Sequence, residues 1–430
     1  MRLFLRSSGL FLACGLVAVP ALSPAQDKGD GKTAVRQDKV VAGSPTDFME
    51  VRHLVLKGTN EVIGQALASV GKERYQLKPE AGSDRFRTRV QRRYIEKNYP
   101  ILHERMRGVA AAFGKRLDDD AWNFSALSYL VDFPGGCSVV YYPAGVMADN
   151  TGVVSRNYEF TTGTILGTRP KPNELPVNAR PYVVEMYPDR GHASLALCAF
   201  DLLSGVLDGI NAEGLTVAAL VDGEAIAKVG IDPPMEDGVG LDELQMLRLL
   251  LDTCATAEEA KEALLMTKQY YSGLPVHYLV ADRHGQAFVW EYAHGRNREY
   301  IIQNPDKPLV VTNFSLHRHR DGKGPPSATQ VKEVCPRYCT LAERIAAEPG
   351  RLTVAFIKEN HKAVDATAAG AKGAPPGRTL WHALYFPEQR KMQVSFYLRD
   401  EPDPKEKGST RIVRSDYLEF VLKSGKAIKE

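Results

Sequence analysis

A cysteine preceded by two glycines is the first feature of this chain that could do chemistry. Gly135-Gly136-Cys137 follows Asp132-Phe133-Pro134 and opens a β-rich run, Cys137-Ser-Val-Val-Tyr-Tyr. Glycine permits backbone geometries closed to other residues, so the Gly136–Cys137 peptide could be held strained and open to attack by the neighbouring thiol. An N-to-S acyl shift followed by hydrolysis would then release Cys137 as a new N-terminus. Such a residue carries its own base. An α-amino group titrates at about 7.7–8.0 and a free thiol at about 8.5, so the proton passes between them without a histidine. Taken alone, Gly-Gly-Cys favours the plainer reading, a turn before a strand with a buried cysteine.

Its neighbours shift that balance. Nineteen residues on lies Arg156-Asn157-Tyr158-Glu159, at the end of the next β-like run, Gly152 to Phe160. Two strands joined by a hairpin bring such positions side by side. A cation at Arg156 beside the thiol favours thiolate, and a carboxylate at Glu159 could accept from the new ammonium. An exposed Arg–Glu pair is the plainer alternative.

The elements that must position these residues are legible in part. From about 46 to 130 the pattern reads as helical, with Val55 to Leu67 and Tyr94 to Phe113, interrupted at Pro100. After Gly136 strands dominate, including Gly214 to Leu220. Leu244, Leu247, Leu251 and Cys254 recur at helical spacing, and Thr256-Ala-Glu-Glu259 is a capping box opening another helix. Val276 to Glu291 reads as a hairpin turning at Asp282-Arg-His-Gly285. A second hairpin pairs Leu380 to Phe386 with Lys391 to Arg399, where Met392, Val394, Phe396 and Leu398 alternate with polar residues. Asp365 to Arg378, rich in Ala, Gly and Pro, reads as a surface loop. Helices that precede and interrupt many strands favour an α+β sandwich over a doubly wound parallel sheet.

Composition bounds the function. The 430 residues are 44% hydrophobic and 25% charged, which is ordinary globular composition. A net charge of +3 is far from the basic bias that nucleic-acid binding needs. Arg2 and Arg6, the apolar run Leu10 to Ala21, and Ser23-Pro24-Ala25 make a secretory signal peptide over residues 1–25. The run is shorter than the roughly 20 residues a membrane span needs. It also continues past Cys14, which argues against a lipoprotein anchor. Removing it takes away two arginines and no acid, leaving the mature chain at +1. The expected compartment is therefore secreted or periplasmic. Five cysteines remain, Cys137, Cys198, Cys254, Cys335 and Cys339. Four of them could pair in three ways, or all could be buried as small apolar residues.

The pattern of Gly-Cys, a hairpin and Arg-Asn-aromatic-acid resembles the isopenicillin N acyltransferase family. That family is related to the choloylglycine hydrolases and to the acid ceramidases. The likeness runs from about Gly135 to Arg399. It implies a four-layer αββα N-terminal-nucleophile sandwich of two antiparallel sheets, with self-cleavage between Gly136 and Cys137. By the same resemblance Cys137 matches the nucleophile, Arg156 the arginine beside it, and Glu159 the family's acidic residue, usually Asp. Asn313, in Val311-Thr312-Asn313, matches an asparagine whose amide stabilises the oxyanion. Arg337, in Cys335-Pro-Arg-Tyr338, falls where the family has a supporting arginine. Asp208-Gly-Ile-Asn211-Ala-Glu-Gly214-Leu215 is similar to a structural hairpin turn of the family. The bile salt hydrolases carry a further oxyanion asparagine beyond that turn. Here the strand reads Ala219-Leu220-Val221-Asp222, so a backbone N–H would have to serve.

Four segments are thus expected: the signal peptide, a flexible leader at 26–45, a helical propeptide at 46–136, and a catalytic domain at 137–430. The cleaved propeptide would stay bound as a subunit, its apolar faces having nowhere better to pack. The expected reaction is hydrolysis or transfer of a linear amide's acyl group through a thioester on Cys137. The expected partner is a small-molecule amide, with pocket loops such as Glu224 to Gly240 choosing it. No cofactor is expected, although one branch of the relatives implies a coenzyme A thioester as co-substrate. The alternatives are a choloylglycine-type acylase acting on bile salts or penicillin V, and an inactive exported binding protein of the same fold. His317-Arg-His319 invites a metal reading, since alternate residues on a strand share a face, but no His-Glu-x-x-His or other ligand spacing supports it. His277, in a half-buried strand, reads as a satisfied core residue.

Overall fold

A computed structural model of the chain describes residues 34–82, 84–127, 136–163, 178–199, 201–229, 238–270, 275–293, 298–368, 375–405 and 410–423. The expected signal peptide and Pro134-Gly135 lie outside these residues, as do 230–237 and 369–374 of the two loops expected above. Ahead of the cysteine run β1 (Val35–Gly43), β2 (Glu50–Gly58), α1 (Asn60–Tyr75), β3 (Pro79–Ala81), α2 (Arg85–Asn98), α3 (Pro100–Ala112) and β4 (Trp122–Leu127). The cysteine lies in β5 (Gly136–Tyr142). After it come β6 (Val153–Thr161), β7 (Tyr182–Pro188), β8 (Ser194–Cys198), β9 (Val206–Asn211) and β10 (Thr216–Val221). Then follow α4 (Gly223–Val229), α5 (Glu243–Thr253), α6 (Ala257–Met266), β11 (Val276–Ala281), β12 (Ala287–Ala293), β13 (Arg298–Ile302) and β14 (Leu309–Val311). The last part holds α7 (Leu316–His319), α8 (Pro336–Ala347), α9 (Val354–Lys362), β15 (Gly377–Phe386), β16 (Lys391–Pro402), β17 (Thr410–Arg414) and β18 (Leu418–Val421).

Two sheets carry the fold. The larger runs β1-β2-β7-β8-β9-β10-β11-β12-β13. The other runs β14-β5-β6-β15-β16-β17, with β18 also on β16. Pairing is antiparallel except between β2 and β7, which lie parallel. The long chain between those two strands lets them run the same way. Side-chain alternation shows the layers. On β7 and β8, Val183, Leu195 and Leu197 join the core shared with the second sheet. Tyr182, Val184, Met186 and Ala196 point the other way, into a core with Ile63 and Leu67 of α1, Leu102 and Met106 of α3, and Leu247 and Leu251 of α5. Tyr338 and Leu341 of α8 and Ile357 of α9 pack with the smaller sheet. The order is helix, sheet, sheet, helix, as the resemblance implied.

Several expected elements form as read. The break at Pro100 ends α2 at Asn98, and the proline becomes the first residue of α3, where its missing N–H costs nothing. Thr256 caps α6 by accepting from Glu259 N, but Glu259 Oε2 accepts from Ala255 N rather than from the Thr256 N–H, so only the cap of the expected capping box forms. Gly285 takes φ +85 in the turn between β11 and β12. The final hairpin is β15–β16, followed by the unforeseen β17 and β18.

The leader is where the reading fails. Residues 26–45 are not all flexible, because Val35–Gly43 is strand β1 paired with β2. The segment expected as helical also contributes β2, β3 and β4. Val55 to Gly58, read as the start of a helix, finishes β2, and the helix begins only after its Thr59 cap. β2 lies between two strands and has cores on both sides, so its sequence shows no clean alternation. Among the described residues no cysteine is paired: Cys137, Cys198, Cys254, Cys335 and Cys339 are all buried free thiols.

Candidate active site

The β5–β6 hairpin fixes which groups meet. Its register sets Gly136 opposite Glu159, Cys137 opposite Tyr158, Ser138 opposite Asn157 and Val139 opposite Arg156. Directly paired residues share a face and successive residues alternate. Cys137, Tyr158 and Arg156 therefore face the larger sheet, while Glu159 faces α8 from the other side.

Arg156 is fully buried and lies beside the Cys137 side chain, which favours its charge. Its Nε donates to Asp208 Oδ2 at 3.2 Å and its Nη2 to the Ala219 carbonyl at 2.9 Å. Burial opposes the guanidinium charge, but Cys137 and Asp208 raise its pKa overall. Asp208 is also held by Trp381 Nε1 at 3.2 Å and by the Tyr385 hydroxyl. Tyr158 lies flat against Trp381, with centroids 4.0 Å apart. The arginine is thus a fixed cation at the sulfur, and Cys137 itself is 5% exposed.

The backbone nitrogen of Cys137 is met by a second group. Its N–H donates to Asn313 Oδ1 at 2.6 Å. Asn313 follows β14, which pairs with β5 and so carries the asparagine to the cysteine. Arg337 Nη2 donates to the same Oδ1 at 2.7 Å, and Arg337 Nη1 donates to Glu159 Oε2 at 2.6 Å and to the Cys137 carbonyl at 3.1 Å. Pro336 starts α8 at its first turn and projects Arg337 from there. Burial pushes the Glu159 carboxyl up to about 7, against the pull of Arg337 and Arg156. Its Oε1 is buried without a hydrogen-bond partner among the described residues.

All five residues singled out in the sequence are thus brought together around the Gly136–Cys137 peptide. The expected backbone donors are already engaged. Asp222 N donates to the Pro275 carbonyl, Gly223 N to the Asn313 carbonyl, and Asn313 Nδ2 to the Val221 carbonyl at 2.7 Å. The Asn211 turn is structural: its Oδ1 accepts from Glu213 N and Leu215 N, and Nδ2 donates to the Leu251 and Cys254 carbonyls. His317 and His319 lie on the short helix α7 rather than a strand, and reach separate carboxylates, Glu291 and Glu224. Sequence reading placed Asp208 only in a turn motif. The one signal for its partnership with Arg156 was an acid inside an apolar strand.

Gly136 is required by packing. A Cβ there would lie 2.5 Å from Glu159 Oε2 and 3.3 Å from Arg337 Nη2. That carboxylate is held by Arg337 and cannot retreat freely. Gly136→Ala in an uncut chain is expected to lose about 1–3 kcal/mol, the usual cost of overpacking. Urea denaturation measures it, and an unchanged midpoint would show that the pair yields without strain.

The chain belongs to the acyl-coenzyme A:6-aminopenicillanic acid acyl-transferase family, whose family model matches residues 175–400. The match includes Asn313 and Arg337 and begins after Cys137, Arg156 and Glu159. Among solved structures, the chain is similar to a variant of the conjugated bile acid hydrolase from Clostridium perfringens at 13% identity and TM-score 0.41, covering 68% of this chain and 99% of that one. It is similar to penicillin V acylase from Agrobacterium tumefaciens at 13% identity and TM-score 0.35, covering 60% and 82%. The Caenorhabditis elegans ortholog of N-acylethanolamine-hydrolyzing acid amidase gives 14% identity and TM-score 0.37, covering 64% and 100%. No curated protein matches the chain.

Proposed function

We propose that the chain is an exported proenzyme that cleaves itself before Cys137 and then hydrolyses or transfers the acyl group of a small linear amide. The observation that carries this reading is the pairing of groups on one residue: Arg156 at the Cys137 sulfur, and Asn313 at its nitrogen. In self-cleavage the sulfur attacks the Gly136 carbonyl carbon and the peptide C–N bond breaks. The thiol proton ends on the departing Cys137 nitrogen. Water then splits the thioester, leaving a Gly136 carboxylate and a free N-terminal cysteine. Glu159, titrating near 7 and lying against Gly136, can take or return a proton during these steps.

Turnover repeats the same chemistry on a substrate. The thiolate attacks the amide carbon, and the cysteine's own amine protonates the leaving nitrogen. The thioester acyl-enzyme is released by water or by an amine. No cofactor takes part, and a coenzyme A thioester would enter only as an acyl donor. Asn313, turned from Val221 toward the reacting carbonyl, is the oxyanion donor, and Arg337 keeps it and Glu159 in place. Asn313→Ala is expected to cost about 10²–10³-fold in kcat. A smaller loss than tenfold would assign the oxyanion to other donors.

The leader stays bound after cleavage, because β2 sits inside the larger sheet and α3 is tied to α5 by a buried ion pair. Export rests on the signal peptide at 1–25. No helix among the described residues is long and apolar enough to cross a membrane.

Intact-mass analysis and N-terminal sequencing of the purified protein test the reading directly. Two fragments meeting between 136 and 137 are expected, with activity on one of four classes: N-acyl amino acids, N-acyl lactones, penicillins or bile salts. A single uncut chain inert toward all four would sink it.

A further inference from the structure

Two histidines that take no part in the scheme above converge on the loop that carries Asn313. His277 on β11 is 1% exposed. Its Nδ1 lies 2.9 Å from Glu291 Oε1, and its Nε2 lies 2.7 Å from the Thr312 carbonyl oxygen. A carbonyl can only accept. Glu291 is equally confined to accepting: the Leu316 and His317 backbone N–H groups donate one to each of its oxygens, and its pKa is brought down to about 2. Oε1 takes His277 Nδ1 and Leu316 N at 2.8 Å, and Oε2 takes His317 N at 2.9 Å and His317 Nδ1 at 2.8 Å. A neutral imidazole has one N–H, so meeting both acceptors requires both ring nitrogens of His277 to be protonated.

These bonds clamp the backbone on either side of Asn313. The Thr312 carbonyl is held in front of it, and the Leu316 and His317 N–H groups behind. Ser315 Oγ donates to Asp222 Oδ2 at 2.5 Å, and the His317 ring stacks on Tyr300 with centroids 4.2 Å apart. We propose that His277 and Glu291 are positioning residues, a buried imidazolium–carboxylate pair that sets the Thr312–His317 loop so that Asn313 meets Cys137. Their catalytic effect rests on the cysteine mechanism proposed above, although the charge state of the pair does not.

The facing charges support the pair. Burial alone would lower the His277 pKa, but Glu291 from β12, Asp222 from the end of β10 and the Thr312 carbonyl raise it; His317 from α7 is the other titratable group at Glu291. Burial would raise Glu291, and its bonds to His277 and His317 bring it down to about 2. A raised histidine stabilises the fold fully below its ordinary 6.5 and loses that contribution as pH rises through its native value. A lowered carboxylate contributes fully above 4.5 and loses it as pH falls toward 2. The clamp therefore opens on the alkaline side through His277.

The test uses His277→Gln, which keeps an N–H for Thr312 but carries no charge, together with Glu291→Gln. Each is expected to lower kcat about 10–100-fold, as small misplacements of a catalytic group do, with KM within about twofold. Each should also shift the alkaline limb of the wild-type pH profile. Folded variants with wild-type kcat and an unshifted limb would overturn the proposal. Should neither variant fold, histidine-selective 15N NMR of the wild-type protein decides the charge state. Two protons on the His277 ring at pH 8 support the clamp, and a neutral tautomer at pH 7 overturns it. A wild-type protein that is uncut and inactive counts against the cysteine mechanism instead, and the same spectra still decide the clamp.

Discussion

Cys137→Ala is expected to yield one uncut chain and to lower any amidase or acyl-transfer rate by more than about 10⁴-fold, the scale on which enzymes lose a covalent nucleophile. Both losses follow from one atom. The sulfur that attacks the Gly136 carbonyl is also the sulfur that takes the substrate's acyl group, and the other four cysteines among the described residues have other surroundings. Cys335 Sγ bonds to the Thr312 hydroxyl and Cys339 Sγ to the Ala328 carbonyl, while Cys198 and Cys254 lie in the core under the larger sheet. Cys137→Ser separates the two functions further. A hydroxyl beside Arg156 gains little from the cation at neutral pH, so cleavage should slow without the fold changing. Intact mass against time measures the first step, and release of the amine product measures the second. A fully processed and active Cys137→Ala protein would assign the nucleophile elsewhere.

Arg105→Ala is expected to destabilise the uncut chain by about 3–5 kcal/mol, because it strands a buried charge. Arg105, on α3, is fully buried and grips Asp252 of α5 through Nη1 at 2.5 Å and Nη2 at 3.1 Å. Its Nε donates to Asn60 Oδ1 at 3.0 Å, and Tyr99 Oη donates to Asp252 Oδ2 at 2.5 Å. α1 and α3 pack so closely there that a Cβ on Gly64 would lie 2.2 Å from the Arg105 carbonyl oxygen. The cluster joins residues on both sides of the proposed cleavage point. Its loss should therefore also let the leader dissociate from the cleaved protein at lower urea, read by size-exclusion chromatography. The double variant Arg105→Met with Asp252→Leu should recover much of the stability, since it leaves no charge behind. Equal stability of Arg105→Ala and the wild type would show that the leader is held by its strands and apolar faces alone.

The two halves of the chain were unequally legible. The β5–β6 hairpin was readable because its residues favour strands and because short antiparallel pairs make sequence separation predict contact. Arg156 and Glu159 could thus be placed near Cys137 from spacing, although not on opposite faces of the sheet. The cap at Thr256, the break at Pro100 and the turn at Gly285 were readable for the same reason: each is decided within a few residues. β2 was missed because a strand covered on both faces has no period to show, and β1 because it is a largely exposed, polar edge strand. Asn313 and Arg337 came to the site only by family resemblance, 176 and 200 positions from Cys137.

What the sequence determined alone was local: which residue could be a nucleophile, where helices begin and stop, and that many strands alternate with helices. Tertiary structure decided everything that depends on burial. It turned His277 from a plain core residue into a charged clamp, made Arg105 and Asp252 a pair across 147 positions, and pushed Glu159 to about 7. A side chain's charge and partners are set by what excludes water around it, and that shell is assembled from segments no local pattern connects.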